Sequence, residues 1–131
     1  MGRELEISIE KGFFTKDQKI IDEIISKNEN FYEVVQILEN NSGNSLFFTI
    51  SEISYNKVDQ INEGFLLDNN RQSEIFLLKK YEKPSLQEIK EMVKNNLDQI
   101  EDISKDDIKY FTKILLKNEV KYGKYILKTW A

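Results

Sequence analysis

Histidine and cysteine are both absent from the 131 residues of this chain. Histidine is the usual general base and the commonest metal ligand in proteins, and cysteine supplies disulfides and thiolate zinc ligands. Their absence excludes Ser-His-Asp and Cys-His catalysis, zinc sites built on these ligands, and a disulfide scaffold. We therefore expect no cofactor and no metal, and we predict that the protein is not an enzyme.

Glycine, proline and long apolar runs are also scarce. Five isolated glycines form neither of the glycine-rich loops that bind nucleotide phosphates. No stretch has transmembrane length, and residues 1–20 lack the apolar run of a signal peptide. We expect no membrane contact, a cytoplasmic location, and one compact domain over residues 1–131.

Negative charge dominates the first part of the chain, and positive charge dominates the last part. The formal net charge is −4, divided into −7 for residues 1–78 and +3 for residues 79–131. Lysine supplies nearly all of the positive charge, because Arg3 and Arg71 are the only arginines. Arginine provides the planar fork that reads bases and phosphates, so its scarcity argues against specific nucleic-acid recognition.

The amino-terminal half predicts strands around one helix. Residues 4–10 alternate strictly, which predicts a strand with apolar side chains inward and glutamates outward. Thr15 and Gln18 match a capping box, so a helix is expected from there to about Lys27. Two hairpins follow, and their predicted strands occupy residues 31–39 with 46–55 and residues 64–68 with 74–81.

The carboxyl-terminal third predicts two helices and a terminal strand. Ser85 and Ser104 each begin a capping-box pattern that is followed by apolar residues at helical spacing. The second helix is expected to run on to Gly123, with a strand over residues 124–130. The full order is β-α-β-β-β-β-α-α-β. It predicts an α+β fold, a mostly antiparallel sheet with helices packed on one face.

A lysine series with a spacing of four residues runs through the predicted second helix. Each step drifts by about 40° around the helix axis, so the lysines form one broad basic face. This face predicts contact with a nucleic-acid backbone, with Tyr125 and Trp130 nearby for base stacking. A solvated helix face explains the same spacing more simply. The series comprises Lys105, Lys109, Lys113, Lys117 and Lys121.

Glutamates on the predicted strands suggest an acidic sheet surface. If the strands are neighbours in suitable register, this surface would suit a basic protein partner that approaches by electrostatic steering. Solvation of an open sheet face is again the simpler explanation. The glutamates are Glu4, Glu6, Glu10, Glu33, Glu39 and Glu52.

One set of carboxylates resembles in outline the acid and E-x-K arrangement of metal-dependent nucleases. It consists of Asp106 and Asp107, followed by the triplet at residues 119–121. Short triplets of this kind are common in lysine-rich chains, and a helix start explains both aspartates. A carboxylate-metal hydrolase is therefore only the second alternative.

The hypothesis that we favour is a small non-enzymatic protein that acts by contact with another protein. Within that class we favour an intracellular inhibitor, of the immunity or anti-defence type of a bacterium or phage. A nucleic-acid-binding accessory subunit is the first alternative, and a homodimer formed through the terminal strand stays open. The residues predicted to bind the partner are Glu4, Glu6, Glu10, Glu33, Glu52, Lys109, Lys113, Lys117, Tyr125 and Trp130.

Overall fold

The computed structural model describes residues 4–40, 43–59 and 73–130. These ranges contain five strands, three α-helices and one 3₁₀ helix at Glu29–Glu33. The strands are β1 (Glu4–Thr15), β2 (Val35–Asn40), β3 (Gly43–Asp59), β4 (Glu74–Lys80) and β5 (Lys121–Trp130). The helices are α1 (Gln18–Lys27), α2 (Leu86–Leu97) and α3 (Lys105–Leu115). The predicted strand at residues 64–68 lies outside the described residues.

The five strands form one sheet in the order β2-β3-β1-β5-β4, and every neighbouring pair is antiparallel. This confirms the prediction of a mixed α/β chain with an antiparallel sheet. The first and last strands pair at the centre of the sheet, from Leu5 opposite Trp130 to Phe14 opposite Lys121. Because β5 is paired on both sides within the chain, it offers no open edge for dimerisation. The edges of the described sheet are β2 and β4.

Two glycines allow the strands at the centre of the sheet to approach closely. Gly12 of β1 lies opposite Gly123 of β5. A β-carbon on Gly12 would collide with the carbonyl oxygen of Phe48, and one on Gly123 with the carbonyl oxygen of Lys79. Glycine is therefore needed at both positions for this spacing of the backbones.

One large cluster of buried side chains joins residues of the three α-helices to residues of the sheet. Phe13, Phe48 and Tyr122 contribute its aromatic part on the sheet. The ring of Phe111 in α3 meets Phe48 edge-on, with centroids 4.9 Å apart. Phe31 of the 3₁₀ helix lies 5.2 Å from Phe111, again between ring centroids. Burial of this apolar surface is the main stabilising term of the fold. That the helices cover one face stays a prediction.

Several predicted boundaries in the first half are wrong, although the hairpin of β2 and β3 is confirmed. Strand β1 continues past residue 10 to Thr15, and β3 is longer at both ends than residues 46–55. Asp17 caps α1, because its carboxylate accepts backbone hydrogen bonds from the first helical turn. Thr15 instead ends β1, and its hydroxyl accepts a hydrogen bond from the backbone N–H of Asp17. Residues 31–33 belong to the 3₁₀ helix, so β2 begins at Val35. Gly43, where β3 starts, has a φ of 112°, which glycine adopts without strain.

Both predicted starts of the carboxyl-terminal helices are confirmed. Ser85 caps α2 through its hydroxyl. Ser104 caps α3 in a complete capping box, in which the Asp107 carboxylate accepts a hydrogen bond from the backbone N–H of Ser104. The predicted end of the second helix is wrong, because α3 stops at Leu115 and Gly123 lies inside β5. The residues that follow α3 have apolar side chains at helical spacing, but from Lys121 onward they form a strand because they pair with β1.

Candidate binding site at the β4 edge

The largest run of exposed apolar side chains in the described residues lies on β4. Phe76, Leu77 and Leu78 follow one another, and they are 47%, 54% and 46% exposed. Strand β4 pairs with β5, and no described strand pairs with its other side. Within the described ranges, the outer side of β4 thus carries backbone N–H and C=O groups without a strand partner, next to apolar side chains. We call residues 74–80 the β4 edge.

Part of the β4 edge forms the wall of a pocket of about 390 Å³, which we call the β4 pocket. Ile75 and Leu77 supply this wall, because alternate residues of a strand point to the same face. Phe14 of β1 and Tyr125 of β5 supply the aromatic part, with ring centroids 5.2 Å apart. Phe76 takes no part in the lining. The β4 pocket therefore shares Leu77 and Lys80 with the β4 edge but does not include Phe76 or Leu78.

Three lysines complete the lining of the β4 pocket, and no acidic residue of the described ranges contributes to it. Lys16, Lys80 and Lys121 are all exposed, and they lie at or next to the ends of three different strands. Lys80 and Lys121 also line a smaller pocket of about 220 Å³, together with Lys83. Burial lowers the pKa of Lys83, repulsion by Lys121 lowers it further, and Glu119 opposes this change. The positive charge at this end of the sheet favours an anion in the β4 pocket.

Tyr125, predicted as an exposed aromatic, is buried. Its side chain is 3% exposed and packs edge-on against Phe47, with ring centroids 5.3 Å apart. Burial raises the pKa of its hydroxyl to about 12. The hydroxyl makes no hydrogen bond to any described residue. Tyr125 is therefore a lining residue of the β4 pocket and not an exposed stacking surface. The side chain of Trp130, the other predicted aromatic, lies outside the description.

Glu10, predicted on a solvated face, is buried with 4% exposure. Its carboxylate accepts hydrogen bonds from the hydroxyls of Ser8 and Thr49, both at 2.5 Å. The side-chain amide of Gln36 donates a third hydrogen bond at 3.4 Å. Strand β1 lies at the centre of the sheet, so side chains of neighbouring strands close over this carboxylate. These partners satisfy the buried charge, which indicates a structural role.

The other predicted glutamates are spread over several elements. Glu33 belongs to the 3₁₀ helix rather than to a strand, and Glu39 lies near the end of β2. Glu52 in β3 is exposed, while Glu6 in β1 is partly buried. The side chain of Glu4 lies outside the description. Their role in partner binding stays a prediction.

The predicted lysine face is shorter than expected, because α3 ends before Lys117. Lys105, Lys109 and Lys113 lie on α3 and are exposed. The ammonium of Lys117 lies 3.6 Å from the Glu23 carboxylate of α1. The series therefore does not continue as one helical face. Contact of Lys109, Lys113 and Lys117 with a partner stays a prediction.

The carboxylates of the hydrolase hypothesis have separate structural surroundings. Asp107 is only 9% exposed, and its Oδ2 accepts a hydrogen bond of 3.0 Å from the side-chain amide of Asn28. Glu119 lies in the turn before β5 and is exposed. Within residues 4–40, 43–59 and 73–130, no three potential metal ligands form a group. The hydrolase hypothesis therefore has no supporting geometry in these ranges.

The β4 edge is the feature that sequence reasoning missed. The run Ile-Phe-Leu-Leu predicts a strand with two apolar faces, and such a strand is ordinarily buried. Its position at an edge depends on pairing with β5, far along the chain, which no local pattern reveals. The available signal was the pair Lys79 and Lys80, because lysines commonly protect an exposed edge.

Comparison with known proteins gives no indication of a function, so a proposal has to be based on the surface of the molecule. No family model matches the chain, and neither curated proteins nor solved structures give a significant match. Among the described residues, no helix combines the length and the apolar character needed to cross a membrane.

Proposed function

We propose that this chain is a non-enzymatic binding protein that recognises another protein through the β4 edge. The observation that carries this proposal is the exposure of Phe76, Leu77 and Leu78 on a strand that lies at the edge of the described sheet. Single exposed apolar residues are normal, whereas a contiguous run beside open backbone groups is typical of an interaction site. An extended segment of the partner can add to such an edge through main-chain hydrogen bonds.

The charge of the β4 edge favours an acidic partner segment. Lys79 and Lys80 are exposed at the end of the strand, next to the apolar run. Opposite charges across an interface speed association and fix the register of the two partners. This preference differs from that of the glutamate surface predicted from the sequence, which would suit a basic partner.

Within this class we favour an inhibitor of another protein, of the immunity or anti-defence type, that acts in the cytoplasm of a bacterium or in a phage-infected cell. The support comes from the sequence: a short chain, a formal net charge of −4, and no histidine or cysteine. A nucleic-acid-binding subunit is the alternative, and the three exposed lysines of α3 support it.

Affinity capture from the lysate of the native host tests the proposal. The wild type is compared with the double variant Phe76→Ser/Leu78→Ser and with the control Ile53→Ser. Ile53 is 54% exposed and lies in β3, which β1 and β5 separate from β4. We expect a stoichiometric protein partner that resists nuclease treatment. The wild type and the control should recover it, and recovery should fall more than about tenfold with the double variant.

Two results would contradict this expectation. Equal recovery of the partner by the double variant would show that the β4 edge is not the interface. Recovery of nucleic acid alone, lost at moderate salt and with Lys109→Gln/Lys113→Gln, would favour the nucleic-acid alternative.

A further inference from the structure

We propose that the β4 pocket binds a small amphipathic anion, with its apolar body against the aromatic and aliphatic lining and its one carboxylate between the rim lysines and the hydroxyl of Tyr125. This site shares Leu77 and Lys80 with the proposed protein contact, whereas Phe76 and Leu78 do not line it. Three features of the pocket support the proposal: its lining, its charge and one buried hydroxyl.

The lining suits an apolar body of modest size. Phe14, Tyr125, Ile75 and Leu77 provide two aromatic and two aliphatic surfaces. A volume of about 390 Å³ lies at the small end of the range of small-molecule sites, which is roughly 300–1,000 Å³. A chain of about ten carbons, or a body of one or two rings, matches this size.

The charge of the rim selects an anion. Lys16 directly follows β1, Lys80 ends β4 and Lys121 begins β5. The fold alone brings them together, and no described acidic residue lines the pocket to neutralise them. Each exposed lysine contributes little by itself, so the three together are expected to determine selectivity more than affinity.

The hydroxyl of Tyr125 is the third feature. The side chain is 3% exposed, lines the β4 pocket, and has no hydrogen-bond partner in the described residues. Buried polar groups without a partner are uncommon in folded proteins and call for an explanation. A carboxylate in the pocket supplies it, because the tyrosine hydroxyl donates a hydrogen bond and a carboxylate oxygen accepts it.

Titration of the full chain with decanoate, followed by amide NMR spectra, tests the proposal. Decan-1-ol and decylammonium have the same apolar chain and serve as neutral and cationic controls. We expect saturable one-to-one binding of decanoate, with shift changes centred on the amides of Phe14, Gly123 and Tyr125. The alcohol is expected to bind at least about tenfold more weakly, and the ammonium compound more weakly still.

Single substitutions locate the binding groups. Lys16→Gln and Lys121→Gln should each lower the affinity for decanoate about threefold to tenfold. Tyr125→Phe should lower this affinity by a similar factor. Lys105→Gln, on the exposed side of α3, is the matched control and should leave the affinity unchanged. Lys16 and Lys121 are exposed, so their variants are expected to fold like the wild type.

Equal affinity for decanoate and decanol would overturn the proposal, as would an affinity that none of the three substitutions changes or a titration without saturation. Decanoate binding should persist in Phe76→Ser/Leu78→Ser. The experiments can therefore reject the proposed ligand site and the proposed protein contact independently.

Discussion

The two edges of the described sheet differ in how their apolar side chains are covered. On β2, Val35 and Leu38 are 6% and 7% exposed. On β4, Phe76 and Leu77 are 47% and 54% exposed. Both strands carry several apolar residues, so composition does not separate the two edges. The elements that pack on each edge make the difference.

Edge strand β2 is covered by the segment that precedes it. Phe31 of the 3₁₀ helix is fully buried in the large cluster, and Val35 lies opposite Phe48 in the register of the hairpin. Edge strand β4 is followed by α2, but the buried residues Ile89 and Val93 of that helix belong to the same large cluster. An apolar edge that stays exposed is a hazard unless a partner uses it. This is why β4, and not β2, is the proposed interface.

A pair of phenylalanine substitutions should give the largest contrast between the two edges. Phe48→Ala, opposite β2, removes a fully buried ring that contacts Phe13 and Phe111. We expect it to lower the free energy of unfolding by about 3–5 kcal/mol. Phe76→Ala on β4 should cost less than about 1 kcal/mol, because half of the ring is already in water. Urea denaturation of the isolated protein measures both values.

The slope of the urea transition is the control, because an unchanged slope shows that both variants unfold from a native state like that of the wild type. If Phe76→Ala lowers the free energy of unfolding nearly as much as Phe48→Ala does, the side chain of Phe76 is covered in solution. The distinction between the two edges would then be wrong.

An effect of intermediate size is expected for Asp107, near the segment that covers β2. Its contribution to the free energy of unfolding should depend on pH. Its carboxylate joins α3 to Asn28, which ends α1 and caps the 3₁₀ helix before β2. Burial alone raises the pKa of this carboxyl group. The hydrogen bonds from Ser104 and Asn28, with Lys27 nearby, outweigh burial and leave the pKa below 3.8. Asp107→Asn should therefore lower the free energy of unfolding by about 1–2 kcal/mol at neutral pH.

The pH dependence follows from the sign of this change. A carboxyl group with a lowered pKa in the folded state stabilises it above the pKa of the unfolded chain, and this contribution is lost as the pH falls through the folded value. The difference between wild type and Asp107→Asn should thus be constant near neutral pH and shrink below about pH 4. Urea denaturation at several pH values measures it. A difference that grows toward acid pH would contradict the assigned role of the carboxylate.

Local patterns predicted the parts of the fold that local interactions determine. The capping residues Ser85 and Ser104 start their helices because each hydroxyl accepts a backbone hydrogen bond within one turn. The glycine and asparagine residues at positions 40–45 likewise predicted the hairpin of β2 and β3. Long-range pairing caused the errors. Residues 121–130 have helical spacing at their start, yet their pairing with β1 places them in the centre of the sheet.

The candidate site could not be predicted for the same reason. Lys16, Lys80 and Lys121 are distant in sequence, and only the pairing of β5 with β1 and β4 brings them around one pocket. The predicted glutamates were chosen by alternation along single strands. That pattern indicates which side chains share a face, but it does not show which strand lies at the centre. Glu10 is buried because β1 is central.

The smallest expected effect concerns the hydroxyl of Tyr125 beside β4. Tyr125→Phe removes a buried polar group without a hydrogen-bond partner in the described residues, so the free energy of unfolding should stay equal or rise by up to about 1 kcal/mol. Tyr110→Phe in α3 is the matched control, because burial and the neighbouring Glu23 carboxylate raise the pKa of the Tyr110 hydroxyl to about 12, so this hydroxyl has a polar neighbour. Tyr110→Phe should lower the free energy of unfolding by about 1 kcal/mol. Thermal or urea denaturation of both variants without ligand gives the comparison. If Tyr125→Phe lowers the free energy of unfolding as much as Tyr110→Phe does, the Tyr125 hydroxyl has a hydrogen-bond partner within the folded chain. It would then not be available to a ligand.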